Sequence, residues 1–129
     1  MPMTRACLAL GARIALPHVV KIGLPMQFLH WTPGDPLTTN RLGIDQPLDS
    51  AEEIAPDIIL TPLVGFDSAC NRLGQGGGFY DRAFAAHPRA LRIGVAWSVQ
   101  MVESIPTEDW DKRLHAVITE RSVLMGEEI

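Results

Sequence analysis

The residues best suited to chemistry lie together, in Asn71-Arg72-Leu73-Gly74-Gln75-Gly76-Gly77-Gly78-Phe79-Tyr80-Asp81-Arg82. Four of the eleven glycines fall within the five positions 74–78. Glycine has no Cβ, so it reaches positive φ at low cost and lets a ligand approach the backbone closely. Such a cluster weakens a helix or a strand, so a loop is the natural reading. The run Asp57-Ile58-Ile59-Leu60-Thr61-Pro62 before it reads as a buried strand, and Phe79 to Ala86 after it has helical composition. Strand, glycine loop and helix start together present backbone N–H groups and the positive end of a helix dipole to an anion. Phosphate handling is one reading and a purely structural turn is the other. The loop is not a Walker A loop, since no Lys-Ser/Thr pair follows it. It also departs from the dinucleotide pattern G-x-G-x-x-G, because Phe79 stands in the place of the last glycine.

A bound triphosphate brings a divalent cation, and Mg²⁺ takes one or two carboxylates with water and phosphate oxygens. Asp81 stands three residues after the last glycine, where its charge also suits the first turn of a helix. It reads equally as a helix-start residue paired with Arg82. Arg72 is the nearest fixed positive charge to the loop and has the fork geometry for a phosphate. Phe79 and Tyr80 either stack on a ring or pack beneath the loop. Asp67 precedes the loop and reads as a turn stabiliser. Glu108, Asp109 and Asp111 form an acidic group before the last strand. Either one of them faces the same site, or all three are a solvated loop. Cys70 has no histidine near it in sequence and reads as a spectator thiol.

The elements that must hold these residues are short. Thr4 suits the cap of a helix running to Leu10, with Gly11 as its stop. Arg13 to Leu16 reads as a strand ended by Pro17, and Gln27 to Trp31 as another, closed by the turn Thr32-Pro33-Gly34-Asp35. His30 reads as a strand-face histidine. Residues 36–48 show no periodicity and read as loop. Ser50 with Glu53 has the spacing of a capping box for one helical turn, stopped by Pro56. Ile58 to Leu60 fits a central strand covered on both faces. Ser68 to Asn71 reads as a tight turn, with Asn71 in the left-handed conformation. The helix after the loop ends near His87-Pro88. Leu91 to Ala96 and Ala116 to Thr119 read as strands, Ser98 to Ser104 as a weak helical turn, and Ser122 to Leu124 as a small edge strand. Apolar strands alternating with short helices predict one α/β domain over residues 1–129, with a mainly parallel sheet flanked by short helices. Ligands in such sheets sit beyond the carboxyl ends of the strands, which is where the glycine loop falls.

Composition narrows the partners. Of the 129 residues, 47% are hydrophobic and 20% charged, which suits a globular domain. The formal charge is −4 with no basic run. Nucleic-acid binding needs clustered Lys and Arg, so a small anionic ligand is expected instead. Cys7 and Cys70 are far apart and fit no metal spacing, which points to reduced thiols in a cytoplasmic protein. No apolar run has the length of a membrane span, and no secretory signal pattern stands out.

The stretches Asp57 to Asp67 and Asn71 to Arg82 closely resemble the signature of the 5-formyltetrahydrofolate cyclo-ligase family, also called methenyltetrahydrofolate synthetases. The likeness extends to Trp31-Thr32-Pro33-Gly34-Asp35-Pro36-Leu37, to Gly43-Ile44 with Pro47, and to Asp109-Trp110-Asp111 through Glu120, so it covers nearly the whole chain. The resemblance implies a three-layer α/β fold of the kind shared with sugar-phosphate isomerases and acyl-CoA transferases. It also implies an ATP- and Mg²⁺-dependent ligase acting on a reduced folate. ATP phosphorylates the formyl oxygen of 5-formyltetrahydrofolate, N10 attacks the activated carbon, and phosphate leaves to give 5,10-methenyltetrahydrofolate. By the same resemblance Arg72, Leu73, Gly74, Gln75, Gly76, Gly77, Gly78, Phe79 and Tyr80 line ATP, with Gln75 to Phe79 also near the folate. Arg72 and Tyr80 serve the reaction, and Asp81 holds Mg²⁺.

The sequence departs from that pattern in three places. A basic helical segment that contacts ATP and a segment whose Glu contacts folate usually come first, and Met1 falls after both. His115 stands where the family places its second metal-site Asp, with Asp111 as a substitute ligand. Cys70 stands where a glycine is usual. These departures make a family relative that binds ATP or folate without turnover the alternative expectation. An apolar sheet face left open by the shorter start predicts a homodimer.

Overall fold

The computed structural model describes residues 2–20, 23–74, 78–108 and 111–126. The chain forms two compact units, Met1–Pro56 and Asp57–Ile129. The first opens with helix α1 (Pro2–Ala9), which begins before Thr4 and so leaves it inside the helix. Gly11 ends it at φ +83°. Its N–H donates to the Leu8 carbonyl, and the Ala12 N–H donates to Cys7. Those two bonds satisfy carbonyls the helix would otherwise leave open, as the Gly11 stop predicts.

Strand β1 (Ala15–His18) runs antiparallel to β2 (Gln27–His30). It starts two residues later than expected and continues through Pro17, which an edge strand tolerates because one row of its N–H groups has no partner to lose. The segment expected as loop contains a hairpin of β3 (Leu37–Thr39) and β4 (Asp45–Pro47). Its turn is built by Asn40, whose side-chain oxygen accepts from the N–H groups of Leu42 and Ile44, and by Gly43 at φ +76°. The expected helical turn after Ser50 is also absent. Glu52 accepts from the His30 N–H, and the Ile54 N–H donates to Phe28. Pairing with the free edge of β2 therefore draws residues 52–54 into an extended form. Met26, Phe28, Leu29 and Pro47 are buried apolar side chains of this unit.

The second unit holds β5 (Ile58–Pro62), β6 (Gly65–Phe66), β7 (Arg72–Leu73), α2 (Phe79–Ala86), β8 (Leu91–Val95), a 3-10 turn at Ser98–Gln100, β9 (Ala116–Ile118) and β10 (Val123–Met125). Four strands form one sheet in the order β10-β9-β8-β5. β5, β8 and β9 are parallel and β10 is antiparallel, so the mixed α/β class with a mainly parallel sheet is the one found. β5 is an edge strand of this sheet, contrary to the expectation of a central strand. Its side chains alternate: Ile59 and Thr61 are buried, while Ile58 and Leu60 are 53% and 41% exposed.

Helix α2 packs on the face that carries Ile59, Thr61, Arg92, Gly94 and Val117. Phe84 and Ala83 are buried there, and the Arg92 guanidinium lies 5.8 Å from the Phe84 ring centre. Gly94 is needed for this packing: a Cβ would meet Leu114 at 2.7 Å and Leu63 at 3.0 Å. β6 and β7 form a separate two-stranded ladder, Gly65 opposite Leu73 and Phe66 opposite Arg72. That ladder carries the chain from the carboxyl end of β5 into the glycine loop. Among the described residues no helix is long and apolar enough to cross a membrane.

Candidate active site

The turn before the glycine loop is organised by Asp67. Its Oδ1 accepts from the N–H groups of Ala69 and Asn71 at 3.0 Å each. Its Oδ2 accepts from Asn71 Nδ2 at 3.1 Å and from the Ile105 N–H at 3.0 Å. Burial favours the neutral acid, but these donors outweigh it and hold the carboxyl below its usual range. The turn stabiliser read from sequence is thus confirmed. The left-handed residue is Cys70, at φ +61°, rather than Asn71. The Asn71 side chain is committed to Asp67, while the Cys70 N–H closes the turn on the Asp67 carbonyl at 3.0 Å. A side chain in this conformation costs about 1–2 kcal/mol, a cost that a glycine there would avoid. The Cys70 thiol is fully buried and points at the Leu124 carbonyl. Burial, and secondarily the charge of Asp67, raise its pKa, so it is a packed thiol without nucleophilic character.

Strand β7 aims Arg72 inward. Its side chain is 8% exposed, and its guanidinium carbon lies 5.6 Å from the Phe84 ring centre and 5.8 Å from that of Tyr80. Nη2 donates to Asp81 Oδ1 at 3.1 Å. Asp81 is thus paired with Arg72, nine residues back. Gly74 makes the arrangement sterically feasible, since a Cβ there would stand 2.7 Å from Arg72 Nη1. Gly78 precedes α2 at φ +69°, and a Cβ on it would lie 2.8 Å from Arg82 Nη1. The Arg82 guanidinium covers the Phe79 ring at 5.2 Å. Burial raises the Tyr80 pKa against the opposing charge of Arg72, so the phenol stays a neutral hydrogen-bond donor.

The structure thus brings Arg72, Gly74, Gly78, Tyr80 and Asp81 together around the start of α2, with Leu73 beside them on β7, half exposed. Phe79 opens the helix. Gln75, Gly76 and Gly77 lie outside the described residues, as does Asp109. Asp111 is exposed and accepts from the Glu108 N–H at 2.8 Å, closing a local turn. It makes no described bond to Asp81 or Arg72. His115 Nδ1 accepts from the Arg92 N–H at 2.9 Å. Burial first, and the nearby Arg92 charge second, lower its pKa. The imidazole is therefore held neutral, with one nitrogen already committed.

Among the described residues around the start of α2, Asp81 is the carboxylate suited to a hard cation. That carboxylate is 57% exposed on its side chain and accepts from Arg72 through Oδ1. One carboxylate completed by phosphate and water oxygens is a normal Mg²⁺ arrangement. Among the described residues no three acidic, histidine or cysteine side chains cluster around a further metal position.

Gln100 was not singled out from the sequence. Its Nε2 donates to the Leu63 carbonyl at 3.0 Å, and its Oε1 accepts from the Trp97 N–H. With the Val102 N–H donating to Phe66, it fixes residues 97–102 beside the carboxyl end of β5 and the β6–β7 ladder. A separate recess of about 140 Å³ lies in the first unit, lined by His30, Trp31, Asp35, Pro47 and Leu48. It is below the size of an ordinary small-molecule site, and none of the glycine-loop residues Arg72 to Asp81 lines it.

Comparison with known proteins bears on this arrangement directly. The sequence profile of the 5-formyltetrahydrofolate cyclo-ligase family matches residues 1–120. A 5-formyltetrahydrofolate cyclo-ligase of Escherichia coli is 40% identical over 121 residues, covering 88% of this chain and 66% of its own length. The solved 5,10-methenyltetrahydrofolate synthetase of Aquifex aeolicus superposes with a TM-score of 0.78 at 30% identity, over 99% of this chain and 66% of that one. The synthetase of Mycoplasma pneumoniae gives 0.66 at 25% identity, over 88% and 60%. The chain thus spans about two thirds of the length of these relatives.

Proposed function

Because the chain belongs to the 5-formyltetrahydrofolate cyclo-ligase family, we propose that its glycine-loop site converts 5-formyltetrahydrofolate and ATP to 5,10-methenyltetrahydrofolate, ADP and phosphate. The observation that carries this reading is the Arg72–Asp81 pair at the start of α2, backed by Tyr80 and Phe84 and given room by Gly74. The reaction needs no protein nucleophile. It needs the formyl oxygen aligned with the γ-phosphoryl group and the phosphate charge neutralised. The formyl oxygen takes the phosphoryl group, N10 then bonds to the activated carbon, and the C–O bond breaks to release phosphate.

Each side chain has a part in this. Arg72, with its guanidinium carbon 5.8 Å from the Tyr80 ring centre and 5.6 Å from that of Phe84, supplies a fork of donors to phosphate oxygens. Tyr80 keeps its proton and donates through its hydroxyl. The backbone from Leu73 to Phe79 lines nucleotide and folate, with Gly74 and Gly78 admitting close approach. Asp81 would hold Mg²⁺, with Asp111 as a second candidate; the ion, when bound, screens the phosphate charge. Asp81 and Arg72 neutralise each other when no ligand is present. Binding then exchanges that pair for cation–carboxylate and guanidinium–phosphate contacts, so the site opens without baring a charge. The family profile spans residues 1–120 across both units, which supports taking residues 1–129 as one functional domain, in a cytoplasmic setting.

Purified protein given ATP, Mg²⁺ and 5-formyltetrahydrofolate is expected to develop the ultraviolet absorbance of the methenyl product, with Asp81→Ala at background. Equal slow rates for both would remove the enzyme reading. A second reading, binding without turnover, is favoured by His115, a neutral and committed imidazole where the family has an acid. Calorimetric binding of ATP or folate with no product would select it.

A further inference from the structure

Arg92 on β8 is a buried charge to which the proposed reaction gives no part. The residue is 6% exposed, and arginine is seldom buried to that extent without an acid beside it. The ion pairs among the described residues are Arg13–Glu52, His18–Asp49 and Arg72–Asp81, and Arg92 belongs to none of them. Its Nε donates to the Arg113 carbonyl at 2.7 Å, which satisfies one N–H but offsets no charge. Burial lowers its pKa, yet a guanidinium keeps its proton in proteins. A buried cation without a counter-ion weakens a fold, so packing alone does not account for it.

The surroundings of Arg92 do. Its guanidinium carbon lies 5.8 Å from the Phe84 ring centre, and that of Arg72 lies 5.6 Å from the same centre. The two cations share one ring, and Phe84 is itself buried. The ring keeps water out of the space it fills, so the Arg92 charge reaches the Arg72 side with little screening. Arg72 and Asp81 offset each other, whereas no described acid offsets Arg92. Together the three groups sum to one positive charge, set behind an apolar wall at the start of α2. A charge so placed focuses its field on an anion in front of the wall.

We infer that Arg92 is a second cation of the phosphate-binding site, acting through Phe84 at a distance rather than by touching the ligand. It strengthens binding of the nucleotide's polyphosphate. The inference rests on the reading of the glycine-loop site as a nucleotide site. A side chain kept only for its stem and its bond to Arg113 would respond differently to substitution.

Two variants separate charge from packing. In Arg92→Gln the amide nitrogen takes the place of Nε on Cδ, so the donor to the Arg113 carbonyl is kept and the charge is lost. In Arg92→Lys the charge is kept and that donor is lost. Calorimetric titration with ATP and Mg²⁺ is expected to show Kd raised about five- to tenfold in Arg92→Gln, the order of effect of a unit charge about 10 Å from an anion in a protein-like dielectric. Arg92→Lys is expected to bind about as well as wild type, and Arg92→Gln to show a shallower salt dependence of Kd. Melting temperature should rank the variants the other way, with Arg92→Gln no lower than wild type and Arg92→Lys lower. Arg92→Met, which lacks both charge and donor, should match Arg92→Gln in affinity and keeps the test valid if the latter folds poorly. Equal affinity in wild type and Arg92→Gln overturns the inference and leaves the nucleotide reading standing. So does a loss in Arg92→Lys as large as that in Arg92→Gln. A wild-type chain that binds no ATP overturns the nucleotide reading and this inference with it.

Discussion

At the scale of the residue, one position in the second unit is in conflict with its side chain. Cys70 holds φ +61° in a turn where glycine would be unstrained. It is retained in that geometry by three bonds: its N–H to Asp67, its carbonyl to the Leu114 N–H at 2.9 Å, and its thiol to Leu124. Full burial and the adjacent Asp67 both keep the thiol protonated. Cys7 in α1 is partly exposed instead. A thiol reagent applied to native protein is therefore expected to label Cys7 alone, with Cys70 reacting only after denaturation; two rapid equivalents in the native state would show that the turn opens. The sequence permitted the spectator reading of Cys70, because no base stands near it. It did not reveal which of Cys70 and Asn71 turns left-handed. Both are small enough, and the choice depends on Asp67 capturing the Asn71 amide, a contact set by folding. The role of Asp81 was left open for a similar reason. Helix-start position and metal ligation both suit an aspartate three residues after a glycine, and its pairing with Arg72 comes from the β6–β7 ladder.

At the scale of the element, β8 is joined to the segment before β9 by reciprocal bonds between Arg92 and His115. The Arg92 N–H donates to His115 Nδ1, and the His115 N–H donates to the Arg92 carbonyl. Burial and the Arg92 charge lower the His115 pKa below 6.5 in the folded state. The unfolded chain therefore takes up the proton first as pH falls. The contribution is fully present above pH 6.5 and is lost progressively as pH drops through the folded value. Asp67, whose folded pKa is also depressed, adds a separate loss that begins near pH 3.8. Thermal unfolding across this range is expected to show two acid steps, the upper one absent in His115→Gln. A variant retaining the upper step would place that titration elsewhere.

The parallel strands were legible because their apolar runs are bounded by Pro and Gly signals, and α2 because its composition changes sharply after Gly78. The hairpin of β3 and β4 was missed. Three-residue strands carry too little pattern, although Asn40 and Gly43 are turn formers that mark it. The capping-box spacing at Ser50 misled because pairing with the edge of β2 outweighs a single helical turn. β5 reads as central because its run is apolar at successive positions, although Ile58 and Leu60 stay exposed on one face.

At the scale of the whole molecule, the chain combines the family's glycine loop with about two thirds of the relatives' length. Arg72, Tyr80 and Asp81 are brought together around the start of α2 in the second unit. The proposed activity is transfer of the γ-phosphoryl group of ATP to the formyl oxygen at this cluster, followed by release of phosphate as N10 bonds to the activated carbon and loses its proton. The most direct measurement follows phosphate release and methenyl absorbance together, in one reaction containing ATP, Mg²⁺ and 5-formyltetrahydrofolate. The account predicts one phosphate per methenyl product, no phosphate without the folate, and a loss of at least about tenfold in kcat/KM for Arg72→Lys, which keeps the charge but not the planar fork. Phosphate released without folate, or methenyl formation unaffected by Arg72→Lys, would contradict it.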